Sequence, residues 1–281
     1  MFQYAMGRAL SLRLGLPLRL DISWFNNIST DMTPRDFQLL LFPNLSACVE
    51  IAEEGRSSLW RKIVRRLDQA FLWTPRRGRA NEIVEPHFEY WSGIEKLSAP
   101  AYLRGYWQSE KYFFFCRQEI CRDFTFPSLP AGMSRDIGMR IRDCPNAVSV
   151  HIRRGDYVNN PKTSAFHGVL GEGYYRAVLD RLREMVGQTT LFLFSDAPQW
   201  VQDNFDPCGH DAVVVDTGLS EPHHDMQLMS LCRHHVLANS SFSWWGAWLD
   251  GGKGMTLAPA KWFADTTLNT TDLCPPSWVR I

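Results

Sequence analysis

The sequence lacks several features that define common protein classes. Its 281 residues contain no run of about 18 apolar residues, so the sequence predicts no transmembrane helix. The amino-terminal segment has no uninterrupted apolar region of the kind found in signal peptides. The seven cysteines are scattered and form no Cys-x-x-Cys pair, which argues against a zinc ribbon or a disulfide scaffold and favours a reducing compartment. We therefore expect a cytoplasmic protein.

Net charge and the common phosphate-binding motifs are also absent. Thirty Lys and Arg balance thirty Asp and Glu, which disfavours a protein that coats nucleic acid. The chain contains no Asp-x-Asp, no Gly-x-Gly-x-x-Gly and no P-loop sequence. If it binds a phosphate, arginine side chains and helix termini would have to supply the positive charge.

Apolar runs and amphipathic stretches alternate through the second half of the chain. Five runs predict buried strands at 147–152, 190–195, 213–215, 236–239 and 255–258. Helical patterns lie between and after them, at 173–186, 197–204, 225–235 and 241–250. This alternation indicates an α/β domain with a parallel sheet at 146–281. It follows a first domain, 1–145, that opens on a helix at 2–15 and a strand at 16–22.

The first of these strands ends in a cluster of charged residues. His151, Arg153, Arg154 and Asp156 stand where ligands bind in parallel α/β sheets, beyond the carboxyl end of a strand. Two adjacent guanidiniums there are suited to grip a phosphate group. A pair of surface arginines with an ion pair to Asp156 is the alternative.

The fourth strand leads into a serine-rich helix start. Ser240, Ser241 and Phe242 precede the helical stretch WWGAWL, and serines at that position cap a helix whose free N–H groups bind anions. A plain helix cap is the alternative. We expect a diphosphate to lie between Arg153 and the 240–242 turn.

Two further clusters are open to several interpretations. Residues 56–79 carry eight Lys or Arg and one acid, and 57–72 form an amphipathic helix pattern. This segment is either a solvated helix face or a contact with an anionic membrane surface. The histidine pairs 223–224 and 234–235, together with Asp225, match neither the His-Glu-x-x-His spacing nor that of a zinc finger, so we predict no metal site.

The motifs occur in the order of a known family. The chain resembles the alpha-1,2-fucosyltransferases of glycosyltransferase family 11 over essentially its whole length. The segments that carry the resemblance are MFQYAMGRAL, RGYWQSEKYF (104–113), HIRRGDY (151–157), LFSDAPQWV (193–201), DMQLMSLC (225–232), NSSFSWWGAWL (239–249), WF (262–263) and PSWVRI.

The resemblance implies a GT-B-like fold of two Rossmann-like halves, GDP-fucose as donor, no metal, and inversion at the fucose anomeric carbon. It places Arg153 on the diphosphate and His151 and Asp225 towards the guanosine. It also places Ser240, Ser241 and Phe242 on the phosphate-facing turn.

The family carries a strand and a glycine-rich loop directly before MFQYA. We expect the first half of this chain to lack both, and the carboxyl-terminal tail to pack back on that half.

The sequence thus predicts a metal-independent enzyme that moves fucose to the 2-hydroxyl of a galactoside. The acceptor would be a galactose-terminated or lipid-linked glycan, reached at the inner face of a bacterial membrane through 56–79. Arg153, His151 and Asp156 are the candidate catalytic residues, with His151 and Asp156 as candidate bases. Arg154, Asp225 and the 240–242 turn are the candidate substrate-binding residues. A non-catalytic relative that binds GDP or glycan is the alternative, and a nucleic-acid binder using 56–79 is a weaker one.

Overall fold

A computed structural model describes residues 1–22, 25, 37–45, 49–52, 81–155, 161–218 and 222–281. The chain divides into two units, Met1–Pro127 and Ser128–Ile281. Residues 56–79 and Asp156 lie outside the described residues, so the predictions made for them stay predictions. No helix among the residues that the structure describes combines the length and apolarity that crossing a membrane requires.

Unit 1 contains two α-helices and two pairs of parallel strands among its described residues. Strands β1 and β2 pair with each other, and β3 pairs with β4. The elements are α1 (Phe2–Leu14), β1 (Leu18–Asp21), β2 (Val49–Ala52), β3 (Glu82–Val84), β4 (Tyr102–Arg104) and α2 (Arg117–Asp123). The predicted amino-terminal helix and the strand that follows it are confirmed.

Helix α1 forms because its apolar residues recur at helical spacing, and it buries them in unit 1. Its buried side chains are Phe2, Tyr4, Ala5, Met6, Ala9 and Leu10. The helix ends at Gly15, whose φ of 65° lies in the left-handed region that glycine adopts without strain. Asp123 of α2 accepts hydrogen bonds from the Tyr4 hydroxyl at 2.6 Å and from Arg8 Nε at 2.9 Å.

Unit 2 is an α/β unit built on one six-stranded parallel sheet. Its strands are β5 (Ala147–Ile152), β6 (Thr190–Ser195), β7 (Asp211–Val214), β8 (His234–Val236), β9 (Thr256–Ala258) and β10 (Val279–Arg280). Its helices are α3 (Met133–Asp143), α4 (Pro161–His167), α5 (Glu172–Val186), α6 (Pro198–Asn204), α7 (Pro222–Leu231) and α8 (Ser241–Trp248). The predicted α/β class with a parallel sheet is confirmed.

The strand order places a crevice in the middle of this sheet. Read across the sheet, the order is β10-β9-β8-β5-β6-β7. The chain therefore starts in the centre at β5, moves outward to β7, returns to β8 on the other side of β5 and moves outward again. This is the order of the Rossmann fold, and ligands bind at the carboxyl ends of the strands where the direction reverses. In unit 2 that point lies between β5 and β8.

Alternating residues of β5 face two separate apolar clusters. Val148, Val150 and Ile152 pack with Val178 and Leu182 of α5, on one face of the sheet. On the other face Ala147 joins a cluster that contains Ile141 of α3 together with Leu228 and Met229 of α7. Because successive side chains of a strand point to opposite faces, Ser149 and His151 share the second face.

The unit boundary differs from the predicted one. The structure divides the chain after Pro127, whereas the change in sequence pattern indicated a boundary at 145. The reason is α3, whose Ile141 is buried in the apolar cluster of unit 2. The carboxyl-terminal residues also belong to unit 2, because β10 pairs with β9. The expected packing of the tail on the first domain stays a prediction.

Candidate active site

Two loops meet at the carboxyl edge of the central strands of unit 2. Residues 153–155 follow β5, and residues 237–240 lead from β8 into α8. Strands β5 and β8 are adjacent and parallel, with Val150 opposite Val236. The sequence-predicted Arg153 and the predicted helix start at Ser240 therefore lie at the same crevice of the sheet.

Arg153 is held by a carboxylate from the neighbouring strand. The register pairs Ile152 with Ser195, so Arg153 emerges beside Asp196. The Arg153 guanidinium contacts Asp196 Oδ2 at 2.9 Å, and both side chains are about one quarter exposed. The other carboxylate oxygen accepts a hydrogen bond from the Arg154 backbone amide, also at 2.9 Å. Asp196 thus fixes both the side chain of Arg153 and the backbone that follows it.

Gly155 leaves the space that this carboxylate occupies. A Cβ at position 155 would lie 2.4 Å from Asp196 Oδ2, well inside van der Waals contact. A larger residue would displace Asp196 and with it the partner of Arg153. The glycine of the RRGD sequence therefore serves the geometry of the arginine site.

Arg154 points elsewhere. Its guanidinium lies over the Trp200 ring of α6, 3.5 Å from the ring centroid, which is a cation–π contact. Beside it opens a cavity of about 180 Å³ between α5 and α6. Its wall includes Ile152, Leu170, Tyr175, Trp200 and Phe205. The two adjacent arginines are therefore not one clamp, since Arg153 turns to Asp196 and Arg154 to Trp200.

His151 is buried on the opposite face of β5 from this cavity. Only 4% of the residue is exposed, and its ring lies 5.6 Å from the ring of Phe242 on α8. Burial, together with the positive charge of Arg153, lowers the pKa of His151 to about 3. The imidazole is therefore neutral at physiological pH, and its buried Nδ1 has no hydrogen-bond partner among the described residues.

The start of α8 has the geometry of an anion site. Ser240 is the N-cap, and its hydroxyl oxygen accepts a hydrogen bond from the Phe242 amide at 3.3 Å. Ser241 is exposed and Phe242 is half-buried against His151. The first-turn amides and the helix dipole both favour a negative charge at this end. The structure thus brings His151 and the 240–242 turn together.

Asp225 lies in the first turn of α7. Burial, and after it the negative charge of the nearby Asp216, which follows β7, raise the pKa of its carboxyl to about 6. An ionised carboxylate in this position is costly until a donor approaches it. Asp225 is therefore suited to accept hydrogen bonds from a ligand.

Asp196 and Asn239 are site residues that sequence reasoning missed. The Asn239 amide donates to three backbone carbonyls, those of His167 at 2.7 Å, Trp262 at 3.2 Å and Gly168 at 3.4 Å. It thereby fixes the loops around the turn into α8. Asp196 could have been found from its position directly after a strand, whereas Asn239 ends an apolar run and carries no charge signal.

The histidine pairs do not form a common cluster. His223 and His224 lie side by side at the start of α7, with ring centroids 4.1 Å apart and ring planes tilted by 41°. His235 instead bridges Ser149 Oγ at 2.7 Å and Asp250 Oδ2 at 3.1 Å. Ser149, His235 and Asp250 are at most 4% exposed. This Ser-His-Asp arrangement therefore links β5 to β8 and is not accessible to a substrate. Among the described residues, no group of three or more His, Cys, Asp or Glu could hold a metal ion.

Comparison with known proteins decides the family. The profile described as "Glycosyl transferase family 11" matches residues 81–281. The alpha-1,2-colitosyltransferase of Escherichia coli is 32% identical over 286 residues, covering 100% of this chain and 94% of the relative. The chain belongs to glycosyltransferase family 11. The predicted family is confirmed.

Other family 11 relatives differ in how much of the chain they match. The O-antigen biosynthesis glycosyltransferase WbnK of Escherichia coli is 30% identical, with 100% of this chain and 96% of the relative covered. Galactoside alpha-(1,2)-fucosyltransferase 2 of Oryctolagus cuniculus is 32% identical over 162 residues, which is 56% of this chain and 46% of the relative. A solved structure of POFUT1 in complex with GDP has a TM-score of 0.37 at 14% identity, covering 90% of this chain and 91% of that one. A similarity of that size assigns no fold.

Proposed function

We propose that this family 11 glycosyltransferase transfers fucose from GDP-fucose to the 2-hydroxyl of a galactoside, with inversion and without a metal ion. The observation that carries the proposal is Arg153, which Asp196 holds at the carboxyl edge of β5, beside the start of α8. Support for the linkage comes from the relatives, which are named as alpha-1,2-colitosyl- and galactoside alpha-(1,2)-fucosyltransferases.

The diphosphate of the donor would lie between Arg153 and the first turn of α8. In the displacement, the galactose 2-oxygen forms a bond to C1 of fucose while the bond from C1 to the diphosphate oxygen breaks. Negative charge then grows on the departing GDP. Donors that are already oriented towards such charge are usually the largest single contribution to catalysis. Arg153 and the α8 amides would supply that contribution, with Asp196 holding the arginine in place.

His151 is poorly suited to act as the general base that we considered from the sequence. A buried imidazole with a pKa of about 3 takes up a proton too weakly for that role. We propose instead that His151 contacts the nucleotide through its unpartnered Nδ1, with Asp225 accepting hydrogen bonds from the guanine N–H groups. Asp156, outside the described residues, stays the candidate to accept the proton of the attacking hydroxyl.

Colitose is the second candidate for the transferred sugar. It differs from fucose only in lacking the 3-hydroxyl, and a relative that matches the whole chain is named as a colitosyltransferase. The two donors can be separated because a site that hydrogen-bonds the 3-hydroxyl rejects a donor lacking it. GDP-fucose and GDP-colitose should be offered together with a galactoside, and the product identified by mass.

The first experiment measures donor binding and transfer in the presence of a chelator. We expect GDP to raise the melting temperature without added metal, and GDP-fucose to give an α-fucoside, recognised by its small H1–H2 coupling. Arg153→Ala should remove most of the GDP shift and lower kcat about 100- to 1000-fold, or roughly 3 to 4 kcal/mol.

Arg181→Ala is the matched control. Arg181 lies on the exposed surface of α5, where it pairs with Glu184. Its replacement by alanine should change neither the GDP-induced shift in melting temperature nor kcat. A shift that needs Mg²⁺ or Mn²⁺ would contradict the metal-free site. GDP binding without transfer to any galactoside would favour the non-catalytic alternative, and a β-linked product would contradict direct displacement.

A further inference from the structure

A strained turn in unit 1 presents an exposed aromatic ring. Tyr106 is 67% exposed, and the next residue, Trp107, is 1% exposed. Trp107 has a φ of 55°, which is costly for a bulky side chain and persists only where its surroundings impose it. A single exposed aromatic residue is ordinary. An exposed aromatic residue on a strained turn is less ordinary, because strained backbone clusters at functional sites.

Glu85 imposes the conformation of this turn. Its two carboxylate oxygens accept hydrogen bonds from consecutive backbone amides, those of Tyr106 at 2.7 Å and Trp107 at 3.0 Å. Gly105 is required because a Cβ there would lie 2.4 Å from the Glu85 Cβ. Gln3 of α1 adds a hydrogen bond from its amide to the Gly105 carbonyl at 2.9 Å.

The buried ring of Trp107 holds the turn against the core of unit 1. It packs edge-on against Tyr112, with ring centroids 5.4 Å apart and planes at 87°. The Trp107 carbonyl accepts a hydrogen bond from the Ser109 amide at 2.9 Å. These contacts fix the backbone from which the Tyr106 ring projects, so a ligand that stacks on the ring would not have to order the turn first.

The turn repeats the construction of the arginine site in unit 2. There, the carboxylate of Asp196 after one strand holds the backbone after its parallel neighbour, next to a glycine with no room for a Cβ. Here Glu85 follows β3 and Gly105 follows β4, and Val84 lies opposite Arg104 in the parallel register. Both turns therefore stand at the carboxyl ends of parallel strands, where α/β units bind ligands.

We propose that the Tyr106 ring is a stacking platform for the galactose ring of the acceptor, and that Glu85 is the residue that positions it. One face of a galactose ring presents C–H groups that pack on an aromatic face, and the phenol hydroxyl can hydrogen-bond a sugar hydroxyl. The amide of Gln108, which is half-buried and makes no hydrogen bond within the described residues, lies two residues further along the same segment. The choice of galactose as the ligand rests on the proposed function.

The test separates acceptor binding from donor binding. In Tyr106→Ala, we expect the KM for a galactoside acceptor to rise at least tenfold, with the KM for GDP-fucose and the melting temperature unchanged. Tyr106→Phe and Tyr106→Trp keep an aromatic face and should restore the acceptor KM to within about threefold of the wild type. Glu85→Gln replaces one acceptor oxygen by an NH₂ group, and it should raise the acceptor KM without changing the donor KM.

Phe115→Ala is the matched control, because Phe115 is 65% exposed and lies in a short 3₁₀ turn of the same unit, Phe114–Cys116. Its acceptor KM should equal that of the wild type. An acceptor KM in Tyr106→Ala within twofold of the wild type would overturn the proposal. Equal increases in Tyr106→Ala and Phe115→Ala would overturn it too, since they would report a general loss of exposed aromatic area.

A binding measurement distinguishes failure of this proposal from failure of the proposed function. Saturation-transfer NMR with lactose needs no turnover, so it remains informative if the wild type transfers no fucose. A lactose signal that is lost in Tyr106→Ala and kept in Phe115→Ala supports the platform. A signal kept in both variants, or no lactose signal from the wild type, overturns it.

Discussion

Replacing Asp225 by asparagine should stabilise the protein at neutral pH while weakening GDP binding. In the folded chain, burial and then Asp216 raise the pKa of this carboxyl from 3.8 to about 6. Between those two values the folded state holds a proton that the unfolded state releases. The free energy of unfolding therefore falls as the pH rises through this window, and the full cost is present above pH 6.

The size of the effect follows from the shift. At about 1.4 kcal/mol for each pH unit, a rise from 3.8 to about 6 corresponds to about 3 kcal/mol at pH 7.5. Asparagine cannot ionise, so Asp225→Asn should gain about 2 to 3 kcal/mol there, or roughly 5 to 10 °C in the melting temperature of unit 2. The gain should shrink to about half at pH 5 and vanish below the unfolded pKa.

Thermal unfolding from pH 3.5 to 8 measures this gain directly, with and without GDP. The variant should show the higher melting temperature without GDP and the smaller increase with it, because a carboxamide replaces the carboxylate that we propose accepts from guanine. Asp180→Asn, at an exposed position of α5, is the control and should change neither. A stability difference between Asp225→Asn and the wild type that is equal at pH 5 and pH 7.5 would refute the reasoning.

Three further predictions concern the arginine site, the buried histidine and the basic segment. Gly155→Ala should lower kcat at least tenfold with little change in melting temperature, because its Cβ displaces the Asp196 carboxylate from Arg153. His151→Leu should flatten the acid side of the stability profile. Since the pKa of His151 falls from 6.5 to about 3 on folding, the wild type loses about 1.4 kcal/mol for each pH unit between those values as the pH falls. Sedimentation with anionic liposomes should fail after neutralising Arg61, Lys62, Arg65 and Arg66, since each basic residue near such a surface contributes about 1 kcal/mol.

Each of these experiments has a control and a contradicting result. For Gly155→Ala, the control is Gly171→Ala, where a Cβ meets no atom within 4 Å, and equal kcat values would contradict the geometry. For His151→Leu, denaturant unfolding at pH 4.5 and 7 is compared with the wild type, and parallel profiles would show that the imidazole is accessible to protons in the folded state. For the basic segment, equal binding to neutral liposomes would contradict an electrostatic contact.

Local patterns of apolar and turn residues were enough to predict several elements of the fold. The strands at 147–152 and 190–195 were predicted with the bounds that the structure shows, because a run of apolar residues between polar turns depends little on distant parts of the chain. Helix α1 and the glycine at which it ends were predicted equally well from local sequence. The placement of Arg153 at a ligand edge also followed, since the carboxyl end of a parallel strand is a ligand position wherever the strand lies in the sheet.

Contacts between segments that are distant in the sequence could not be predicted from these local patterns. The structure divides the chain after Pro127 and not near 145, and the sequence of α3 carries no signal of which core its Ile141 joins. The final strand, β10, has only two residues and exists through its pairing with β9. Its short, unremarkable sequence gave no reason to add a strand to the sheet.

The sequence by itself determined the family, the alternation of strands and helices in unit 2, and the residue types at the strand ends. Only the tertiary structure decided which of those residues meet. The β5–β6 register joins Arg153 to Asp196, the parallel ends of β3 and β4 join Glu85 to the Tyr106 turn, and burial holds His151 neutral. The physical reason is that periodicity and capping act over a few residues, whereas register, close approach and desolvation depend on segments that come together only on folding.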